Sequence, residues 1–158
     1  MLVEEVMTRD VITCSPTDKI EDIVLLMGEK NISGIPVLEG DRLVGIVTEE
    51  DIMRLLAVPP KGTSYLWLPS PFEVLLEIPL KDILQLRRMQ ESVKDVGERP
   101  ISDVMTRKVV MVSPDEDIEA AAALMVRHKF NRLPVVKDGK IVGIIARDDI
   151  IHGLGGKR

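Results

Sequence analysis

The 158-residue sequence predicts an α/β fold (mixed α+β). Two β-α-β-β-α units are expected to pack about a pseudo-twofold axis, with a helical insert between them. Three observations predict this. First, the chain repeats itself at an offset of 98 residues. Val6-Met7-Thr8-Arg9 recurs as Val104-Met105-Thr106-Arg107, Ser15-Pro16 as Ser113-Pro114, Pro36-Val37 as Pro134-Val135, Val44-Gly45-Ile46 as Val142-Gly143-Ile144, and Asp51-Ile52 as Asp149-Ile150. Second, the apolar spacing within each copy switches between strand and helix periods. Third, each copy spans roughly 50 residues, too few for a comfortable core of its own, so the two copies are expected to share one body.

In the first copy, Val11-Ile12-Thr13-Cys14 reads as a short extended segment. Ser15-Pro16-Thr17-Asp18 reads as a helix start, with a capping hydroxyl, a proline in the first turn and an acid near the positive helix end. Ile20, Ile23, Val24 and Met27 then fall on one helical face, and Ile118, Ala121, Ala122 and Met125 repeat that face in the second copy. The run Ala120 to Ala123 suits close helix packing. Ile35 to Leu38, the turn Glu39-Gly40-Asp41, and Leu43 to Val47 read as two buried strands around a hairpin. Leu133 to Val136, Lys137-Asp138-Gly139, and Ile141 to Ile145 repeat it. Glu49 to Leu56 closes the unit as a helix.

Residues 57–99 have no internal counterpart. Pro59-Pro60-Lys61-Gly62 breaks the helix. A short helix is expected near Phe72 to Glu77, and an amphipathic helix from Leu80 through Met89 to about Val96. Tyr65-Leu66-Trp67 concentrates aromatic residues outside the repeats and suggests a docking patch, unless the insert only covers apolar surface. The expected divisions are residues 1–56 for the first repeat, 57–99 for the insert and 100–158 for the second repeat.

Composition narrows the function. Only 3% of residues are aromatic against 45% hydrophobic, so the core must be aliphatic. The net charge of −5 argues against nucleic acid as a partner. No apolar stretch approaches the ~18–20 residues of a membrane span. The N-terminus lacks a signal peptide's basic start and apolar middle, and Cys14 is alone, so the cytosol is expected. No catalytic set emerges. With two histidines and one cysteine there is no zinc spacing. No Walker-type loop is present, and the adjacent acids Glu49-Glu50 and Asp148-Asp149 point apart on a helix. Neither an enzyme nor a metal site is expected.

The junction "GIVTEED" (45–51) and its partner "GIIARDD" (143–149) join a strand to a helix start. Thr48-Glu-Glu-Asp51 fits a capping box, and Gly45 would permit close strand packing. The same atoms suit a ligand. A helix N-terminus favours phosphate, but Asp51 would repel one placed directly on it. A carboxylate accepts well from vicinal hydroxyls, so Asp51 should face a sugar, with Thr48 beside it and a cation reaching the phosphates.

The stretches "VMTRDVITCSPTDKI" and "SGIPVLEGDRLVGIVTEEDI", with their partners "VMTRKVVMVSPDEDI" and "NRLPVVKDGKIVGIIARDDI", resemble a tandem pair of CBS domains, often termed a Bateman module. The resemblance covers about two-thirds of the chain, and its Thr-x-x-Asp motif implies a grip on the ribose of an adenosine ligand. It also implies clefts built across the repeats. Site one would combine Thr48 and Asp51 with Thr106, Lys108, Val109, Val110, Asn131, Arg132, Leu133 and Pro134. Val109, Val110, Leu133 and Pro134 would sandwich the base, and Arg132, helped by Lys108, would take the phosphates. Site two would combine Ala146, Arg147 and Asp149 with Thr8, Val11, Ile12, Ser33, Gly34, Ile35 and Pro36. It is expected to be the weaker, because Ala146 lacks the hydroxyl and Gly34 stands where Arg132 stands.

The resemblance therefore implies a regulatory module that binds AMP, ADP or ATP, has no catalytic cofactor, and signals to an unidentified partner protein, with a homodimer expected. A ligand-free structural or adaptor protein and an S-adenosylmethionine-binding module remain the alternatives.

Overall fold

The computed structural model describes residues 1–57 and 93–156. The expected Tyr65-Leu66-Trp67 patch, the short helix near Phe72 to Glu77 and the helix from Leu80 lie outside the described residues, apart from a helical stretch at 93–98.

The first half runs α1 (Val3–Val6), α2 (Ile20–Lys30), β1 (Gly34–Glu39), β2 (Arg42–Thr48) and α3 (Glu49–Ala57). The second half opens with a 3-10 turn (Ile101–Asp103), followed by α4 (Ile118–His128), β3 (Arg132–Lys137), β4 (Lys140–Ala146) and α5 (Arg147–Leu154). The two hairpins match in register. Val37 pairs with Gly45 before a bulge, and Val135 pairs with Gly143 before the same bulge. The tight turns suit their residues: Gly40 has φ 62°, and Asp138 and Gly139 have φ 51° and 76°, where glycine and aspartate are the usual occupants.

The first expected strand of each copy reduces to a single bridge, Cys14 with Val37 and Val112 with Val135, both parallel. The helix starts also differ from expectation. Ser15 to Asp18 forms a turn, closed by the Ser15 amide donating to Asp18 Oδ2 at 2.8 Å and the Asp18 amide donating to the Ser15 carbonyl at 3.1 Å. The acid is spent on that turn, so α2 begins later, at Ile20. Its first amide donates to the Arg99 carbonyl at 2.9 Å, and that of α4 donates to the Met1 carbonyl at 3.1 Å. Orphan donors that a cap would usually satisfy are thus met by carbonyls distant in sequence, Arg99 just ahead of the second repeat and Met1 at the start of the first. Ile20, Ile23 and Met27 are buried as expected, whereas Val24 is 44% exposed because the contact stripe of α2 is narrower than its apolar face. In α4, Ala121 is fully buried.

The halves exchange their opening segments. Thr106 and Ile46 trade backbone hydrogen bonds at 2.8 and 3.0 Å, and Thr8 and Ile144 trade them at 2.9 Å each. Each Met-Thr segment therefore lies antiparallel to the second hairpin strand of the opposite copy. Val3 and Met7 complete the core around Met125, Leu133 and Ile145, while Ile101 and Met105 complete the core around Ile20, Ile35 and Val47. Glycine makes the approach possible. A Cβ on Gly45 would stand 2.8 Å from Met105 Sδ and 3.0 Å from the Thr106 carbonyl, and one on Gly143 would stand 2.5 Å from Met7 Sδ and 3.1 Å from the Thr8 carbonyl. The strand glycines are packing requirements.

Candidate functional site

The strand exchange carries Thr106 to the start of α3. There Asp51 closes a reciprocal cap: its Oδ2 accepts from the Thr48 amide and the Thr48 hydroxyl, both at 2.9 Å, while Thr48 Oγ1 accepts from the Asp51 amide at 3.3 Å. The capping-box reading of this stretch is therefore correct. Asp51 Oδ1 accepts from Thr106 Oγ1 at 3.0 Å. Asp51 is 8% exposed, and it is the one buried charged side chain among the described residues. Three hydrogen bonds from two halves fix its carboxylate, and a carboxylate offers about four lone-pair sites, so Oδ1 retains acceptor capacity.

That carboxylate lies at the wall of a cleft of about 510 Å³ between the halves. Thr48, Asp51, Thr106, Lys108, Val109, Val110, Asn131, Arg132 and Pro134 all line it, and Arg132 stands beside Thr48, since a Cβ on Gly34 would touch both. Nine of the ten residues expected at site one are thus brought together. Leu133 is the correction: it is 1% exposed and packs into the core of the second half, because alternation along β3 turns it away from its neighbour Arg132. The apolar lining is completed by Ile46. His128 and Phe130 also line the cleft, stacked with ring centroids 5.6 Å apart and planes inclined by 15°. They and Lys129 escaped the sequence reading, although they run continuously in sequence into Asn131-Arg132, from the end of α4 to the start of β3. Glu49, Glu50 and Arg54 contribute the rim of α3, where Arg54 is paired with Glu50 at 2.9 Å.

Lys108 and Arg132 form no ion pair among the described residues. Arg132 Nη2 donates to Ser33 Oγ at 2.5 Å. Burial holds its guanidinium below the ordinary value, while Glu49, Asp149 and Asp148 pull the other way; an arginine keeps its charge under such a shift. The cleft therefore offers a buried carboxylate acceptor, aliphatic and aromatic surface, and the cations Lys108 and Arg132.

The residues expected at site two do not gather in the same manner. Asp149 Oδ2 accepts from the Ala146 amide at 2.7 Å, which is half of the cap that Thr48 completes in the first copy. Among the described residues no bond joins Thr8 to Asp149 as Thr106 joins Asp51. Ser33 lines the first cleft. Ala146 and Arg147 border a separate hollow of about 210 Å³ with Asn131, Arg132 and Asp148. Ile35 and Pro36 are fully buried, and Val11 and Ile12 are half-buried. Gly34 is buried against Arg132 and Thr48.

Comparison with known proteins gives the family and the fold. The family model of the CBS domain matches residues 3–58 and 101–156. Uncharacterized protein MJ1426 of Methanocaldococcus jannaschii is 39% identical over 156 residues, covering 98% of this chain and 91% of that protein. The crystal structure of CBSX2 in complex with AMP superposes with a TM-score of 0.69 at 24% identity, covering 98% of this chain and 96% of that one. The CBS domain pair of protein MJ0100, in complex with 5′-methylthioadenosine and S-adenosyl-L-methionine, gives 0.67 at 22% identity, covering 100% and 98%. At these identities the two structures share the fold with this chain. The chain belongs to the CBS domain family, as a pair of CBS domains that exchange their opening segments.

Proposed function

We propose that the protein is a regulatory module that binds an adenine nucleotide in the cleft between its repeats. The observation that carries this reading is the Asp51 carboxylate, buried, held by both halves and lining the same cleft as the cations Arg132 and Lys108. Asp51 and Thr48 take the ribose hydroxyls. Val109, Val110, Pro134 and Ile46 enclose the base, and Arg132 with Lys108 takes the phosphates. AMP, ADP or ATP is favoured over S-adenosylmethionine because Arg132 in the cleft complements phosphate and would repel a sulfonium. The AMP complex of CBSX2 supports the ligand class, and the adenosyl ligands of MJ0100 support the cleft more broadly.

Ligand bound across the halves changes their relative freedom, and so shifts how the module meets a partner protein. A homodimer fits the helix surfaces: Leu25, Met53, Val126, Ile151 and Leu154 are each more than 60% exposed.

Thermal melting with AMP, ADP, ATP and S-adenosylmethionine tests the reading. At a ligand concentration of 100 times Kd the stabilisation approaches ~2.7 kcal/mol. No shift with any adenine nucleotide at millimolar concentration would refute it and favour the ligand-free adaptor.

A further inference from the structure

The two copies differ most consequentially at one pair of positions. Arg132 opens β3, and its counterpart 98 residues earlier, Gly34, opens β1. The two meet at the boundary between the halves. A Cβ on Gly34 would stand 3.1 Å from Arg132 Cδ, 3.5 Å from its Nε and 3.3 Å from Thr48 Cγ2. Residues related by the pseudo-twofold thus compete for one space, and a side chain on one copy denies it to the other. Glycine in the first copy yields that space to the arginine of the second. The neighbouring Ser33, also from the first copy, then holds the far end of the guanidinium through its hydroxyl.

We propose that Ser33 and Gly34 are positioning residues for Arg132, and that they set the preference of the cleft for a phosphorylated ligand over the bare nucleoside. This rests on the reading of Arg132 as the phosphate-binding cation. Gly34 contributes no side chain to the site; it acts by leaving room. Ser33 acts by fixing a long side chain that would otherwise have to be ordered when ligand arrives, and pre-ordering of this kind raises affinity. It also accounts for the asymmetry of the pair: only one long cation fits between the two halves, and the sequence assigns it to the side where Thr48, Asp51 and Thr106 already form the sugar end.

The experiment is calorimetric titration of the full chain with AMP and with adenosine, in S33A, G34A, G34V and R132A. Gly34 has no positive φ, so alanine and valine suit its backbone. The ratio of AMP to adenosine affinity is expected to fall about threefold in S33A and about tenfold in G34V, with G34A between; adenosine affinity stays within about twofold in S33A, whereas the Gly34 variants also press on Thr48 and are read by the ratio alone. R132A sets the floor. An unchanged ratio in S33A and G34V, with the ratio lost in R132A, overturns the positioning role and leaves the phosphate reading intact. A parallel fall of AMP and adenosine in S33A, which leaves Thr48 untouched, also overturns it. A wild-type ratio in R132A, or no binding by wild type, refutes the phosphate reading itself and the proposal with it. If G34V does not fold, S33A decides.

Discussion

Thr106 Oγ1 donates to Asp51 Oδ1 at 3.0 Å, joining residues 55 positions apart in the chain. The same carboxylate caps α3 through Thr48. One buried acid therefore serves a local helix end and a long-range junction between the halves, at the wall of the cleft proposed to hold a nucleotide.

Removing that acid should be felt twice. Asp51→Ala leaves the Thr48 amide and the Thr106 hydroxyl without their acceptor, at a cost of about 2–3 kcal/mol. Asp149→Ala removes one amide partner, on a half-exposed site, and should cost about 1 kcal/mol. Denaturant midpoints check the order, and melting with AMP checks that Asp51→Ala loses the ligand shift while Asp149→Ala retains most of it. Equal effects of the two would contradict the ranking of the sites.

Completing the second cap should stabilise. Ala146→Thr places a hydroxyl where Thr48 has one, opposite an Asp149 that already accepts from the residue's own amide. The expected gain is about 1 kcal/mol, read as a raised denaturant midpoint with unchanged slope.

A side chain on either strand glycine should cost stability. Gly45→Ala meets Met105 Sδ, which can turn aside, and the Thr106 carbonyl, which cannot. Loss of about 1–3 kcal/mol is expected, and Gly143→Ala should behave alike against Met7 and Thr8. Equilibrium unfolding of both variants tests this; wild-type stability in either would show that the exchanged segments can shift without cost.

Cys14 gives a pH signature. Burial pushes its thiol from 9.0 up to about 12, and the nearby Asp18 adds to this. The native state then keeps a proton that the unfolded chain releases above about pH 9, so stability falls as pH rises from there toward 12. Its counterpart in the second copy is Val112, so Cys14→Val preserves packing. The wild-type denaturant midpoint should fall more than that of Cys14→Val between about pH 9 and 11. Parallel curves would contradict the shift.

The sequence by itself determined the duplicated architecture, the helix and hairpin of each copy, and the capped junction from Thr48 to Asp51. These rest on local periods and short-range hydrogen bonds, which adjacent residues specify. It also brought nine of ten expected residues to one cleft, because the repeat and the family resemblance together constrain how the copies face each other. Only the tertiary structure decided the rest. It moved the start of α2 to Ile20, since Arg99 rather than a side chain meets its first amide. It sent Leu133 into the core and the stacked pair His128 and Phe130 to the cleft. It set Arg132 in the space left by Gly34 and tied it to Ser33, 99 residues away. Such contacts depend on how two packed surfaces meet, and no periodicity within either segment encodes that geometry.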